Sequence, residues 1–180
     1  MNVRGITSGE NINDVWSERF QNIAKKTKNI TIIDRYFITN LYEDINERVT
    51  AIERFIDFLS RSNRKFSITI FSEGDHRNSE MHNTISTYFN VTLPRRPNYN
   101  GTISRLEVIS CRDSTFRDKA HHRYIDFDDF TIELDKGMDI FRSYPLSACS
   151  FKLYRGFQNP VFQEAYSALN RHPLWRNSLP

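Results

Sequence analysis

The chain has 180 residues, 38% of them apolar and 26% charged, the balance of one ordinary domain rather than of a disordered or low-complexity segment. No window approaches the roughly 18 consecutive apolar residues of a membrane span, and the polar start lacks the charged-then-apolar layout of a signal peptide. The expectation is a single domain over residues 1–180, cytoplasmic or at most peripheral at a membrane, whose net charge of +3 tolerates an anionic partner without demanding one.

Taken in chain order, Trp16, Phe20, Ile23 and Ala24 recur with helical spacing and predict an amphipathic helix over about 13 to 27. The β-branched run Ile30-Thr31-Ile32-Ile33 predicts a buried strand ending at Asp34. Leu41, Ile45, Val49, Ile52, Ile56 and Leu59 keep steps of three and four, which predicts one long helix with Asn40 as its N-cap. A second strand is expected over Phe66–Phe71, then a polar turn and a short helix through Met81, Ile85, Tyr88 and Phe89. Leu93-Pro94-Arg95-Arg96-Pro97-Asn98 is a break too short to separate domains. Strands follow at about 102 to 110, 121 to 127, 129 to 135 and 150 to 154. Asn159-Pro160 then opens a last helix through Phe162, Ala165 and Leu169. This order predicts an α/β sandwich with a mixed sheet. Cys111 and Cys149 have no CxxC partner and are expected as buried thiols.

The stretch from His121 to Asp128 carries the most chemistry. On a strand, alternation would put His121, Arg123, Ile125 and Phe127 on one face and His122, Tyr124 and Asp126 on the other. A guanidinium offers a planar fork of donors to phosphate oxygens, and an imidazole can donate a hydrogen bond or, when neutral, attack phosphorus. The pairing therefore suits a phosphodiester. The plainer alternative is a polar pocket in which His121 and Arg123 pair with carboxylates such as Asp128. Asp34, at a strand end, could orient a basic residue there or serve as a cap or turn residue for the next segment, while Tyr36 is expected in the core.

His121, Arg123 and Asp128 stand in the order H-x-R-x4-D, which resembles the H-x-K-x4-D signature of the phospholipase D superfamily. HHRYIDFDDFTIELDKGMDIF, from His121 to Phe141, is similar to the C-terminal phospholipase D-like domain of MIT-domain proteins. Ile32-Ile33-Asp34-Arg35-Tyr36-Phe37 resembles their early I-I-D-P-Y segment. The resemblance implies a phospholipase D-like fold, His121, Arg123 and Asp128 as the counterparts of the catalytic motif, and a homodimer that binds acidic phospholipid without catalysis. The sequence departs from the catalytic members in having Arg123 for lysine, and Lys136-Gly137-Met138-Asp139 where they keep a Gly-Ser pair. Arginine keeps phosphate affinity but cannot be deprotonated.

The expectation is thus a phosphate-binding module for a lipid headgroup or a nucleic-acid backbone, with Asp34, His122, Lys136 and Arg142 as further ligand contacts. The alternatives are a metal-independent phosphodiesterase or nuclease that uses His121 as nucleophile across a dimer, and an interaction subunit with protein partners in a multi-protein bacterial defence assembly. No cofactor is expected: the chain has neither GxxxxGK[ST] nor GxSxG. Nor is a metal, since Asp75, His76, Glu80 and His82 match no ligand spacing.

Overall fold

The computed structural model describes residues 4–74, 78–142, 144–156 and 159–179. Asn11 opens the first helix, its Oδ1 accepting from the Asn13 amide at 2.8 Å. The helix runs through α1 (Ile12–Val15), a π-helical stretch Trp16–Phe20 and α2 (Gln21–Ala24). Then come β1 (Asn29–Ile33), α3 (Phe37–Asp44), α4 (Ala51–Ser60) and β2 (Phe66–Glu73). They are followed by α5 (Ser79–Thr87), the short α6 (Tyr99–Thr102), β3 (Ile103–Cys111) and α7 (Asp113–Lys119). The hairpin β4 (Tyr124–Phe127) and β5 (Phe130–Leu134) leads into a 3-10 turn, Gly137–Phe141. The chain closes with β6 (Phe151–Arg155), α8 (Pro160–Arg171) and β7 (Trp175–Leu179).

These elements form an α/β domain around one seven-stranded mixed sheet in the order β6-β5-β4-β1-β2-β3-β7. β1, β2 and β3 are parallel neighbours, so each must be reached by a crossover that carries helices back along the sheet. β4 runs antiparallel to β1, with Tyr124 opposite Ile33. The start of β4, the end of β5 and the ends of β1 to β3 therefore lie at the same end of the sheet's strands.

The larger core covers one face. Ile32, Ile70, Val108, Ile125 and Ile132 meet Trp16, Phe20, Phe37, Phe55 and Phe58 there. Trp16 stacks on Phe20 and Phe58 at 5.4 and 5.0 Å, and Phe55 meets Phe141 at 5.1 Å. Such ring pairs add about 0.5–1.5 kcal/mol each beyond burial, and the Phe141 contact anchors the 3-10 turn to the core. On the other face Ile33, Phe71, Ile109 and Tyr124 pack against Phe116, Phe162, Ala165 and Leu169 of α7 and α8.

The structure corrects several expectations. The long helix from Leu41 is two helices, and Asn40 lies inside α3 rather than capping it. Thr50 caps α4, its Oγ1 accepting from the Glu53 amide at 3.3 Å, so the S/T-x-x-E order of Thr50 and Glu53 was the readable start signal. The expected strand at 121 to 127 begins only at Tyr124, and His121 to Arg123 form an irregular approach to it. α7 and β7 had no counterpart in the sequence reading: α7 is short, and β7 (WRNSL) lacks a β-branched run. Both cysteines are buried free thiols.

Candidate functional site

A cleft of about 280 Å³ opens at the end of the central strands, where β1 ends and β4 begins, lined by Arg35, Tyr36, His121, His122, Arg123 and Glu133 among others. Behind this lining, as a floor beneath Arg123, lies Asp34, which follows the last residue of β1. Asp34 is 1% exposed, and its carboxylate accepts from the Tyr36 amide at 3.0 Å and from the Met138 amide at 2.8 Å. A buried carboxylate needs such donors because water is excluded from it. Burial nevertheless pushes the Asp34 carboxyl from 3.8 up to about 6; Arg123 and the two amides pull it down, and Asp139 adds to the rise.

Arg123 lies over this floor. Its Nε is 3.8 Å from Asp34 Oδ1 and its Nη1 is 3.7 Å from Asp139 Oδ2. Both separations exceed hydrogen-bond length, so the two carboxylates hold the cation by charge without using its donors. Nη1 is buried and makes no hydrogen bond among the described residues. The guanidinium is stacked over the Tyr36 ring at 4.7 Å, and the Arg35 guanidinium lies over the same ring at 5.3 Å. Arg35 pairs through Nη2 with Asp113, while its Nε is also buried without a hydrogen-bond partner among the described residues.

Gly137 makes this arrangement possible. It has φ +52°, and a Cβ there would overlap Asp34 Oδ2 and stand 2.7 Å from Arg123 Cδ. Only glycine reaches this backbone conformation without strain and allows so close a pass. Two residues on, Asp139 accepts from Asn40 Nδ2 at 2.6 Å, which fixes the carboxylate that faces Arg123.

The histidines sit at the mouth, and both are exposed. His122 Nδ1 is 3.3 Å from Glu133 Oε1, and Glu133 also accepts from Lys152 Nζ at 2.9 Å and Tyr154 Oη at 3.1 Å. His121 meets the His122 ring edge-on at 6.3 Å and has no carboxylate to orient it among the described residues.

Of the residues singled out in the sequence, His121, His122 and Arg123 share this cleft and Asp34 underlies it. Asp128 does not join them. It occupies the β4–β5 turn with φ +47°, at the far end of β4. There its carboxylate accepts from the amides of Lys28 at 2.7 Å and Asn29 at 3.1 Å. Lys136 and Arg142 line a neighbouring cleft, where Arg142 is held by Asp44 at 2.7 Å and Glu43 at 2.6 Å. Tyr36, expected in the core, is 41% exposed and serves as the platform for both arginines. Arg35, Gly137 and Asp139 escaped the sequence reading, although the isolated glycine between β5 and Asp139 was a legible mark of close backbone approach.

Asp75 and His76 of the rejected metal set lie outside the described residues. Among the described residues no cluster of three or more His, Cys, Asp or Glu is placed to hold a metal ion, and no helix is long and apolar enough to cross a membrane. No protein-family model matches the chain, and no curated protein matches it significantly.

Proposed function

We propose that the chain is a phospholipase D-like domain that binds a phosphorylated ligand in the Arg123 cleft, with little or no turnover, and that it acts as a homodimer. The observation that carries this reading is the pair of buried, unspent guanidinium donors, Arg123 Nη1 and Arg35 Nε, on residues that line one cleft. An unsatisfied buried donor costs about 1–3 kcal/mol. Both atoms are buried, so a phosphate oxygen would meet them as the side chains turn toward the cleft, and would relieve that cost with a charge-assisted bond. His121 and His122 can donate to the same anion from the rim. The resemblance of His121-x-Arg123 to the superfamily signature points to the same ligand class.

The surroundings of His121 support weak or absent turnover. A histidine nucleophile is held by a hydrogen-bonded partner that fixes its tautomer, and here the carboxylate contact belongs to His122 instead. The alternative, a phosphodiesterase completed by a second copy, would require the partner to supply that contact.

The test is a titration of the 15N-labelled protein with inorganic phosphate. Amide shifts are expected at residues 121–123 and 137–139, and Arg123→Ala should remove them. Absence of any shift at these positions at saturating phosphate would overturn the reading.

A further inference from the structure

The Arg123 cleft is not uniformly cationic. Arg35 is paired with Asp113, Arg123 faces Asp34 and Asp139, and His122 meets Glu133. Each of these donors has a carboxylate beside it, which leaves little net positive charge to draw in a dianion. A ligand is therefore sorted there by its pattern of donors and acceptors.

An acceptor stands among those donors. Asp135 lines the same cleft and is exposed. The Leu134 amide donates to the Arg123 carbonyl at 3.0 Å, which sets Asp135 close to the backbone of Arg123. Asp135 Oδ1 accepts from the Ser150 amide at 3.1 Å, and this bond fixes the carboxylate. Glu133, the other carboxylate of the lining, is buried and already accepts from Lys152 Nζ and Tyr154 Oη. Asp135 is thus the carboxylate that a ligand in the cleft would meet.

We infer that the cleft selects a phosphate group that keeps a P–OH, as in inorganic hydrogen phosphate or a small phosphate monoester. Arg123 and Arg35, turned toward the cleft, donate to its anionic oxygens, and Asp135 accepts from the P–OH. This inference rests on the reading of the cleft as a phosphate site. A singly protonated phosphate offers one donor beside its acceptors, and the second pKa of a monoester, about 6, keeps that proton within reach of neutral pH. The internal phosphate of a nucleic acid and the bridging phosphate of a phospholipid are diesters. They carry no such proton and would set an oxygen lone pair against the Asp135 carboxylate. A site that bonds a ligand hydroxyl rejects the analogue lacking it, because its own polar group is left unpaired. The cleft volume of about 280 Å³ also suits a small ligand, being at the lower end of small-molecule sites.

The test is calorimetric titration with inorganic phosphate, methyl phosphate, dimethyl phosphate and sulfate at a pH of about 6, where roughly half of a monoester carries the proton. Dimethyl phosphate and sulfate carry none. Inorganic phosphate and methyl phosphate are expected to bind at least about tenfold more tightly than the other two. Their order tells the free ion from an ester and supports the inference either way. Asp135→Asn keeps Oδ1 for the Ser150 amide and turns the second oxygen into a donor, so it should bring dimethyl phosphate and sulfate to within about threefold of methyl phosphate. Sulfate or dimethyl phosphate binding to the parent as tightly as methyl phosphate would overturn the inference, the first result pointing to selection by charge alone. So would a preference that Asp135→Asn leaves unchanged. Inorganic phosphate separates the two levels: if it shifts the amides of residues 121–123 while all the probes bind alike, only the selection falls. If it shifts nothing there, the reading beneath it falls as well.

Discussion

The backbone of Gly137 passes so close to the carboxylate of Asp34 that no side chain fits between them, and the amide of the next residue, Met138, donates to that same carboxylate at 2.8 Å. Residues 104 positions apart are thereby locked into one floor beneath Arg123. Gly137→Ala would place a methyl group on Asp34 Oδ2 and force alanine to φ +52°. The conformation alone costs about 1–3 kcal/mol, and the overlap adds to it. Urea denaturation should show a lower midpoint with an unchanged slope, the product of slope and shift amounting to at least that loss. A variant as stable as the parent would mean that the turn yields easily and does not clamp the floor.

Asp34 should leave a signature in the pH dependence of stability. Its carboxyl titrates near 6 in the folded protein against 3.8 ordinarily, so between those values the folded state holds a proton that the unfolded state has released. Its contribution is therefore most favourable below pH 3.8 and is lost as the pH rises through about 6. The loss is on the order of 3 kcal/mol. Burial also pushes Asp126 to about 6, so the measurement is the difference between the parent and Asp34→Asn, in which Asp126 cancels. That difference should move against the parent between about pH 4 and about pH 7, and equal differences at the two values would contradict it.

Tyr36 holds two guanidinium groups through its ring rather than through its hydroxyl. Tyr36→Phe should therefore leave the phosphate affinity within about twofold, whereas Tyr36→Ala should weaken it about fivefold, the equivalent of about 1 kcal/mol of lost cation–π attraction. Calorimetric titration with inorganic phosphate reads both variants. Equal losses would shift the role to the hydroxyl.

Asp128 is a structural residue of the β4–β5 turn. Asp128→Gly keeps the left-handed backbone but removes the acceptor of the Lys28 and Asn29 amides and of Asn29 Nδ2. Stability should fall by about 1–3 kcal/mol, while phosphate-induced shifts at residues 121–123 stay as in the parent. Loss of those shifts in a folded variant would show that His121, Arg123 and Asp128 act as a unit after all.

Local periodicity was enough to read most of the layers. The β-branched run at Ile30–Ile33, the alternation from Ile103 to Cys111 and the stripe of Phe162, Ala165 and Leu169 each encode burial through nearest neighbours in the chain. The same is true of Ile125 and Phe127, which face the larger core, and Tyr124, which faces the smaller one, as alternation requires. It also placed His121, His122 and Arg123 together, because three adjacent residues cannot be far apart.

What the order of residues could not disclose was which distant groups those three would meet. The antiparallel docking of β4 on β1 set Arg123 above Asp34, and the turn at Gly137 added Asp139. The same strand carried Asp128 away, since four extended residues at roughly 3.3 Å each separate the ends of β4. Spacing along a chain becomes proximity only through the path the backbone takes, and that path was chosen by sheet pairing and core packing, in which every element takes part at once.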